Sequence, residues 1–186
     1  LTAEELKNDC LCYIEYGGHP VKASRLFAGN EHEMQVKILA EHFDVDLDHY
    51  KKIVFTPALV NRTENDNEAT KAGVHASHFS KRNLDDFSSY EEAYHMLIHD
   101  IIQQQKFSTS LVLSKQTHTR IFVDGGFAKN PVYMNLLAAA FPGMEVYAAS
   151  VSQATAIGAA LAIHRHWNTS PVPGDMVELK YYTITQ

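Results

Sequence analysis

The stretch RIFVDGGFAKNPVYMNLLAAAF, residues 120 to 141, predicts a strand, a glycine turn and a helix in direct succession. Its start is a short run rich in β-forming residues. Asn130 is suited to cap the helix, and Pro131 stands at the first helical position, where proline is well tolerated. A second strand, MEVYAA (144–149), and a second helix, SVSQATAIGAALAIHRHW (150–167), follow. This alternation predicts an α/β domain with parallel strands and right-handed crossovers.

The first forty residues predict a hairpin and a helix. LCYIEY (11–16) and VKASRLF (21–27) favour two strands, joined by the turn-forming residues GGHP. The next segment, 28–43, is expected to be a helix with Asn30 as its cap. Its apolar face carries Val36, Leu39, Ala40 and Phe43.

The middle of the chain predicts one long helix between less regular segments. Residues 44–52 favour a short helix, and residues 53–60 a strand or extended segment. Residues 61–73 are polar and rich in turn formers, which predicts a surface loop, and residues 77–89 are expected to be irregular. From Ser88 or Ser89 as cap, apolar residues recur at helical spacing: Tyr90, Ala93, Tyr94, Leu97, Ile98, Ile101 and Ile102.

Composition narrows the function classes. The chain has 186 residues, 45% hydrophobic, which suits one domain with a substantial core. Its net charge of −6 argues against nucleic acid or an anionic membrane as main partner, since both require a basic surface. No apolar run is long enough for a transmembrane helix, and no signal peptide is visible. Cys10 and Cys12 are expected to be buried structural thiols, which favours a reducing cytoplasm.

The glycine turn leaves two interpretations open. Gly125 and Gly126 let a ligand or another backbone approach closely, and the free N–H groups of the following helix favour an anionic or polar group. Ligands also collect at the carboxyl ends of strands in open α/β sheets. The alternative is a tight turn with an ordinary Asn130 cap. No dinucleotide fingerprint and no Walker loop is present.

Two other features favour structural roles. Gly158 stands inside the last predicted helix and costs helix stability, so close helix packing is the favoured explanation over a place beside a ligand. His95 and His99 are one helical turn apart, but no glutamate completes a zinc motif, so they are expected to be exposed or edge-packed. His32, His164 and His166 are expected to lie on the solvated surface.

Two segments together resemble a known family. The pair VDGGFAKNPVYMNLLAAAF (123–141) and SQATAIGAALA (152–162) is similar to the carboxyl-terminal domain of the FGGY carbohydrate kinases. That family has the ribonuclease H-like, actin-like ATPase fold of the hexokinase, Hsp70 and actin superfamily. The resemblance covers most of the chain and is strongest from about 119 to 164. It implies one α/β domain, a mixed sheet flanked by helices, over residues 1–170, with a carboxyl-terminal tail over 171–186.

The resemblance implies a nucleotide site and its cofactors. ATP with Mg²⁺ is expected, its adenosine surrounded by Gly125, Gly126, Phe127 and Asn130. By position, Gly29 and then Glu33 or Gln35 approach the nucleotide, with a helix-entry turn as the alternative for Gly29. Asp124 either orients a metal-bound water or holds the turn. The sugar is expected to be a ketose such as L-fuculose, L-rhamnulose or xylulose.

The sequence departs from the family in two respects. Many relatives have Glu where Gln153 stands, which puts a polar role there in doubt. The family's sugar site, catalytic aspartate and phosphate-binding hairpin are not recognisable, so the chain is expected to begin partway into the second domain and to lack kinase activity alone. A homodimer is a partner arrangement that the sequence allows. The alternatives from other classes are a non-enzymatic regulator with an actin-like fold and a plain interaction domain.

Overall fold

The computed structural model describes residues 1–60, 78–113, 119–149, 154–174 and 176–183. The α-helices among them are α1 (Ala3–Lys7), α2 (Ala28–His42), α3 (Pro57–Val60), α4 (Tyr90–Val112), α5 (Pro131–Ala140) and α6 (Ala154–Trp167). The strands are β1 (Leu11–Ile14), β2 (Pro20–Ala23), β3 (Arg120–Val123), β4 (Glu145–Ala149) and β5 (Leu179–Tyr182). Short 3₁₀ helices occupy His49–Lys52, Phe79–Lys81, Leu84–Asp86 and Phe127–Lys129.

The core is built around α4, which contacts both α2 and α5. Ser89 caps α4 by accepting a hydrogen bond from the Glu92 amide at 3.2 Å, as the sequence predicted. The seven apolar residues predicted for one face of α4 are all buried: Tyr90, Ala93, Tyr94, Leu97, Ile98, Ile101 and Ile102. On α2 the predicted face is also confirmed, with Val36, Leu39 and Ala40 buried and Phe43 partly buried against the core.

The sheet is mixed and lies beside α5. Strands β3 and β4 are parallel with α5 as their crossover, which confirms the predicted strand, helix and strand. Strand β5 then pairs antiparallel with β4, so the order is β3-β4-β5. The sequence showed no strong pattern beyond Pro171, and β5 was therefore missed. Val146 and Ala148 of β4 face the core, because alternate residues of a strand point to the same side.

The amino-terminal hairpin is confirmed, with β1 and β2 antiparallel from Leu11 opposite Ala23 to Ile14 opposite Pro20. The prediction of two buried thiols is half wrong. Cys10 is buried just before β1, but Cys12 is exposed on the strand. The two do not share an environment because Cys10 lies outside the strand, where period-two alternation no longer applies.

Two helix boundaries differ from the prediction. Asn30 does not cap α2, because the helix already begins at Ala28 and the Glu31 amide donates to the Phe27 carbonyl at 3.1 Å. Phe27 provides no side-chain cap. Within the segment expected to be extended, Pro57–Val60 is a helical turn that starts with proline. The loop predicted for 61–73 lies outside the described residues.

Helix α6 lies at the surface, and none of its residues is buried. The predicted packing of Gly158 against a second helix is therefore wrong, since a Cβ placed there would meet no atom within 4 Å. In the described part of the chain, no helix combines the length and the apolar character needed to cross a membrane.

Candidate functional site

A cleft of about 570 Å³ lies between the start of α2 and the loop that follows β3. Its walls come from three separate parts of the chain. They are Gly29, His32, Tyr50, Lys51, Gly126, Phe127, Lys129, Asn130 and Pro131. Gly29, Gly126, Phe127 and Asn130, all predicted from the sequence as nucleotide contacts, therefore face the same space.

The two glycines of the turn have different roles. Gly125 has φ +75°, a left-handed conformation that side chains disfavour, so it makes the turn. Gly126 has φ −63° and ψ −41°, which any residue adopts. A Cβ on Gly126 or on Gly29 would meet no atom within 4 Å. At Gly29 and Gly126 the absence of a side chain keeps the cleft open, and it is not needed to avoid backbone strain.

Asn130 holds the far wall of the cleft through three hydrogen bonds. Its Oδ1 accepts from the amides of Val132 at 3.1 Å and Tyr133 at 3.2 Å, which caps α5 as predicted. Its Nδ2 donates to the Tyr94 hydroxyl at 2.8 Å. One N–H of the amide remains for a ligand, because an amide group carries two donors.

His32 was expected on the solvated surface, and that expectation is wrong. Its ring packs edge-on against Tyr50, Tyr94 and Phe127, with centroids 5.0, 5.8 and 5.6 Å away. Its Nε2 lies 2.9 Å from the Tyr94 hydroxyl. Burial lowers the pKa of His32 to about 4, so the imidazole is neutral at pH 7. The spacing of Gly29, His32 and Val36 on one helical face was a signal that could have located it.

The charge of the cleft contrasts with that of the chain. Lys51 and Lys129 line it, and no acidic side chain is among its described lining residues, although the chain has a net charge of −6. Lys51 also pairs with Asp48 at 2.7 Å on the solvent side. The first turn of α2, which has no side-chain cap, borders the same space at Gly29. These features favour an anionic or polar ligand.

The remaining predicted contacts lie elsewhere. Asp124 is exposed and lines a neighbouring cavity of about 270 Å³ together with Phe127 and Tyr133. Glu33 is exposed and pairs with Lys37 at 2.9 Å. Gln35 is buried and donates to the Glu31 carboxylate at 3.0 Å. The structure does not bring these side chains to the cleft, and Gln153 lies outside the described residues.

His95 of α4 has a structural role. His95 was expected to be exposed or edge-packed and is instead buried, 1% exposed. Its Nε2 accepts from the Thr56 amide at 3.0 Å, and its Nδ1 donates to the Glu91 carbonyl at 2.7 Å. Burial lowers its pKa. Across the described ranges, no group of three or more His, Cys, Asp or Glu side chains is arranged to hold a metal ion.

Comparison with known proteins places this geometry in a class. A crystal structure of a carbohydrate kinase from Novosphingobium aromaticivorans is similar with a TM-score of 0.58 and 19% sequence identity. The match covers 95% of this chain and 35% of that one, so the chain spans about a third of that kinase's length. The protein is a mixed α/β domain with the actin-like ATPase fold.

A second comparison finds that part of the chain is similar to a known family. Residues 105–171 match the model of the carbohydrate kinase FGGY C-terminal domain. The matched segment includes the glycine turn, α5, β4 and α6. No curated protein matched the sequence.

Proposed function

We propose that this chain is the nucleotide-binding half of an ATP-dependent carbohydrate kinase. The observation that carries the proposal is the cleft itself. It brings together Gly29 and Gly126 from distant parts of the chain, and the space beside each of these glycines is open. Two lysines and no acidic residue are among its described lining residues. A cavity of this size suits a nucleotide-sized ligand.

The adenosine is placed against Gly126, Phe127 and Asn130, where an aromatic ring and an amide N–H are available. Lys51 and Lys129 supply positive charge for the phosphates. Mg²⁺ would bind together with the phosphates and would neutralise part of their charge, because it keeps several waters and needs only one or two carboxylates. Asp124, which follows β3, is the described carboxylate nearest in sequence to the glycine turn. It lines the neighbouring cavity, from which it would orient a metal-bound water or hold the turn.

The reaction proposed for the complete kinase is transfer of the γ-phosphoryl group to a ketose hydroxyl. This transfer requires in-line positioning, a metal on the phosphates and a base on the attacking oxygen. The ketose is one such as L-fuculose, L-rhamnulose or xylulose, on the family resemblance. We expect residues 1–186 alone to bind nucleotide without turnover. ATP- and ketose-dependent ADP release in a coupled assay of this chain would contradict that expectation.

The free thiols favour a cytoplasmic location.

The first test is a calorimetric titration of Mg-ATP into the chain and into Gly126→Leu. The helical backbone of Gly126 accepts leucine, and the new side chain fills the cleft, so affinity should fall at least about tenfold, or about 1.4 kcal/mol. Gly143→Leu is the matched control, since a Cβ at Gly143 also meets no atom within 4 Å and Gly143 does not line the cleft. Equal affinities for the two variants would contradict the proposed site.

The second test separates the two functions of Asn130. Asn130→Ala removes both the cap and the amide donor, whereas Asn130→Asp keeps a capping oxygen and removes the donor to Tyr94. Asn130→Ala should lower the free energy of unfolding by about 1 kcal/mol and weaken ATP binding. Asn130→Asp should weaken binding with a smaller loss of stability. Ser89→Ala, which removes the cap of α4, should lose stability and keep its affinity.

A parent chain that binds no ATP even at millimolar concentration would reject the proposal. The remaining hypothesis would then be an interaction domain with the actin-like fold, in which the glycine turn holds no ligand.

A further inference from the structure

A chain of hydrogen bonds runs from the cap of α5 through the core to the wall of the cleft. It joins Asn130 to the Tyr94 hydroxyl at 2.8 Å and Tyr94 to Nε2 of His32 at 2.9 Å. Tyr94 is fully buried, 0% exposed. At such a position the hydroxyl needs both of its hydrogen bonds, because an unsatisfied buried polar atom is costly in free energy.

The direction of each bond follows from its neighbour. Oδ1 of Asn130 accepts two backbone amides, so the other side-chain atom, which faces Tyr94, is the NH₂ group. The Tyr94 oxygen must therefore accept from Asn130. Its own hydrogen needs an acceptor, because an unsatisfied buried hydroxyl is costly, and the partner in reach is Nε2 of His32 at 2.9 Å. Nε2 of His32 is therefore an acceptor and carries no proton.

The same logic fixes the proton on the other ring nitrogen. A neutral imidazole with an unprotonated Nε2 carries its hydrogen on Nδ1. Among the described residues, the Tyr90 hydroxyl is the side-chain polar atom that is both fully buried and without a hydrogen-bond partner. Nδ1 of His32 does not share that condition, so it is not sealed in the core. Because His32 lines the cleft, its Nδ1–H is a donor available to a bound molecule.

The surroundings of His32 indicate which part of a nucleotide it meets. Tyr50 and Phe127, which also line the cleft, pack edge-on against its ring. Flat aromatic walls with one fixed donor suit a heterocyclic base. A phosphate would instead favour the imidazolium, and burial disfavours that charged form of His32.

We propose that His32 positions the nucleotide base by donating its Nδ1–H to a ring nitrogen of adenine. This inference rests on the proposed nucleotide site and adds a specificity-determining residue to it. Tyr94 and Asn130 are positioning residues, because they act by holding the histidine in the tautomer that donates into the cleft.

The binding test uses three substitutions of His32 and Mg-ATP as the probe. Asparagine places an amide donor near the position of Nδ1, glutamine places one near Nε2, and phenylalanine keeps a ring without nitrogen. His32→Asn should keep affinity within about threefold, whereas His32→Gln and His32→Phe should lose about tenfold, equivalent to about 1.4 kcal/mol. Met34→Ala, an exposed change on the same helix, is the control and should bind as the parent does.

Deaza analogues of ATP identify the contacted nitrogen. Of 1-deaza-, 3-deaza- and 7-deaza-ATP, one should bind the parent about tenfold more weakly than ATP, and that difference should vanish in His32→Phe. Three analogues that bind as well as ATP would overturn the inference. So would His32→Phe with the affinity of the parent.

A second readout does not depend on nucleotide binding. In ¹⁵N NMR of the histidine-labelled chain at pH 7, His32 should be neutral with its proton on Nδ1, and Tyr94→Phe should release that tautomer preference. A proton on Nε2 in the parent would overturn the inference even if ATP binds. Absence of ATP binding by the parent would reject the proposed function and this inference with it, whereas unchanged binding in His32→Phe rejects only the role of His32.

Discussion

Helices α5 and α6 each follow a strand of the parallel pair, and both are apolar and rich in alanine, yet they differ in burial. Six residues of α5 are buried: Val132, Tyr133, Met134, Leu136, Leu137 and Ala138. No residue of α6 is buried. The difference lies in the partners, because α5 packs against α4 and β4 while large apolar side chains of α6, such as Ile163 and Trp167, are more than half exposed. An apolar, alanine-rich helix sequence therefore does not by itself determine whether the helix is buried.

The largest expected effect tests this difference directly with matched leucines. Leu137→Ala should lower the free energy of unfolding by about 3 kcal/mol, because Leu137 is 2% exposed and its removal leaves a cavity. Leu161→Ala, at a position 38% exposed, should cost about 0.5 kcal/mol. Urea denaturation measures both. Equal losses would mean that α6 is covered in solution and would break the comparison.

The second effect concerns the buried side of the molecule and depends on pH. Burial lowers the pKa of His32 from 6.5 to about 4, so the unfolded chain binds a proton there that the folded chain does not. The stability that depends on neutral His32 is therefore complete above pH 6.5 and is lost as the pH falls toward 4. The loss should reach about 2 kcal/mol after allowance for partial exposure. The groups that face this ring are Tyr50, Tyr94 and Phe127, with Lys51 and Lys129 lining the same cleft.

The measurement for this effect is the urea midpoint of the parent and of His32→Gln between pH 7 and pH 4. Subtracting the variant removes the contribution of His95, whose pKa burial also lowers. A pH dependence that is the same in both proteins would show that His32 is solvated and titrates normally in the folded chain.

The smallest effect sharpens the description of α6. Gly158→Ala should raise the free energy of unfolding by about 0.5–1 kcal/mol, because the new methyl group meets no atom within 4 Å and alanine favours a helix. Ala160→Gly, at another exposed position of α6, should lower stability by a similar amount. Thermal unfolding followed by circular dichroism measures both changes. Destabilisation by Gly158→Ala would indicate a surface packed closely on α6.

Local sequence signals predicted much of the fold and one wall of the cleft. The apolar face of α4 recurs at helical spacing, and Asn130 with Pro131 marks the start of α5, so both helices were predicted with their caps. The hairpin of β1 and β2 follows from its turn residues in the same way. These features depend on residues within a few positions of one another.

The errors arose where a distant partner decides the outcome. Nothing within a few positions of His95 indicates that its ring receives a hydrogen bond from the Thr56 amide. Strand β5 forms because it pairs with the free edge of β4, and the weak local sequence pattern does not predict this pairing. The cap predicted at Asn30 was wrong because α2 begins at Ala28 and has no side-chain cap.

The sequence by itself determined the β1–β2 hairpin, the succession of α4, β3, α5, β4 and α6, the glycine turn after β3 and the cap of α5. Short-range periodicity and backbone preferences control these features. Only the tertiary structure decided that Gly29 and His32 lie opposite Gly126 and Asn130 across one cleft. It also decided that the buried Tyr94 hydroxyl hydrogen-bonds to both Asn130 and His32. The physical reason is that burial and hydrogen-bond direction belong to groups far apart along the chain. Their geometry exists only once α2, α4 and α5 pack together.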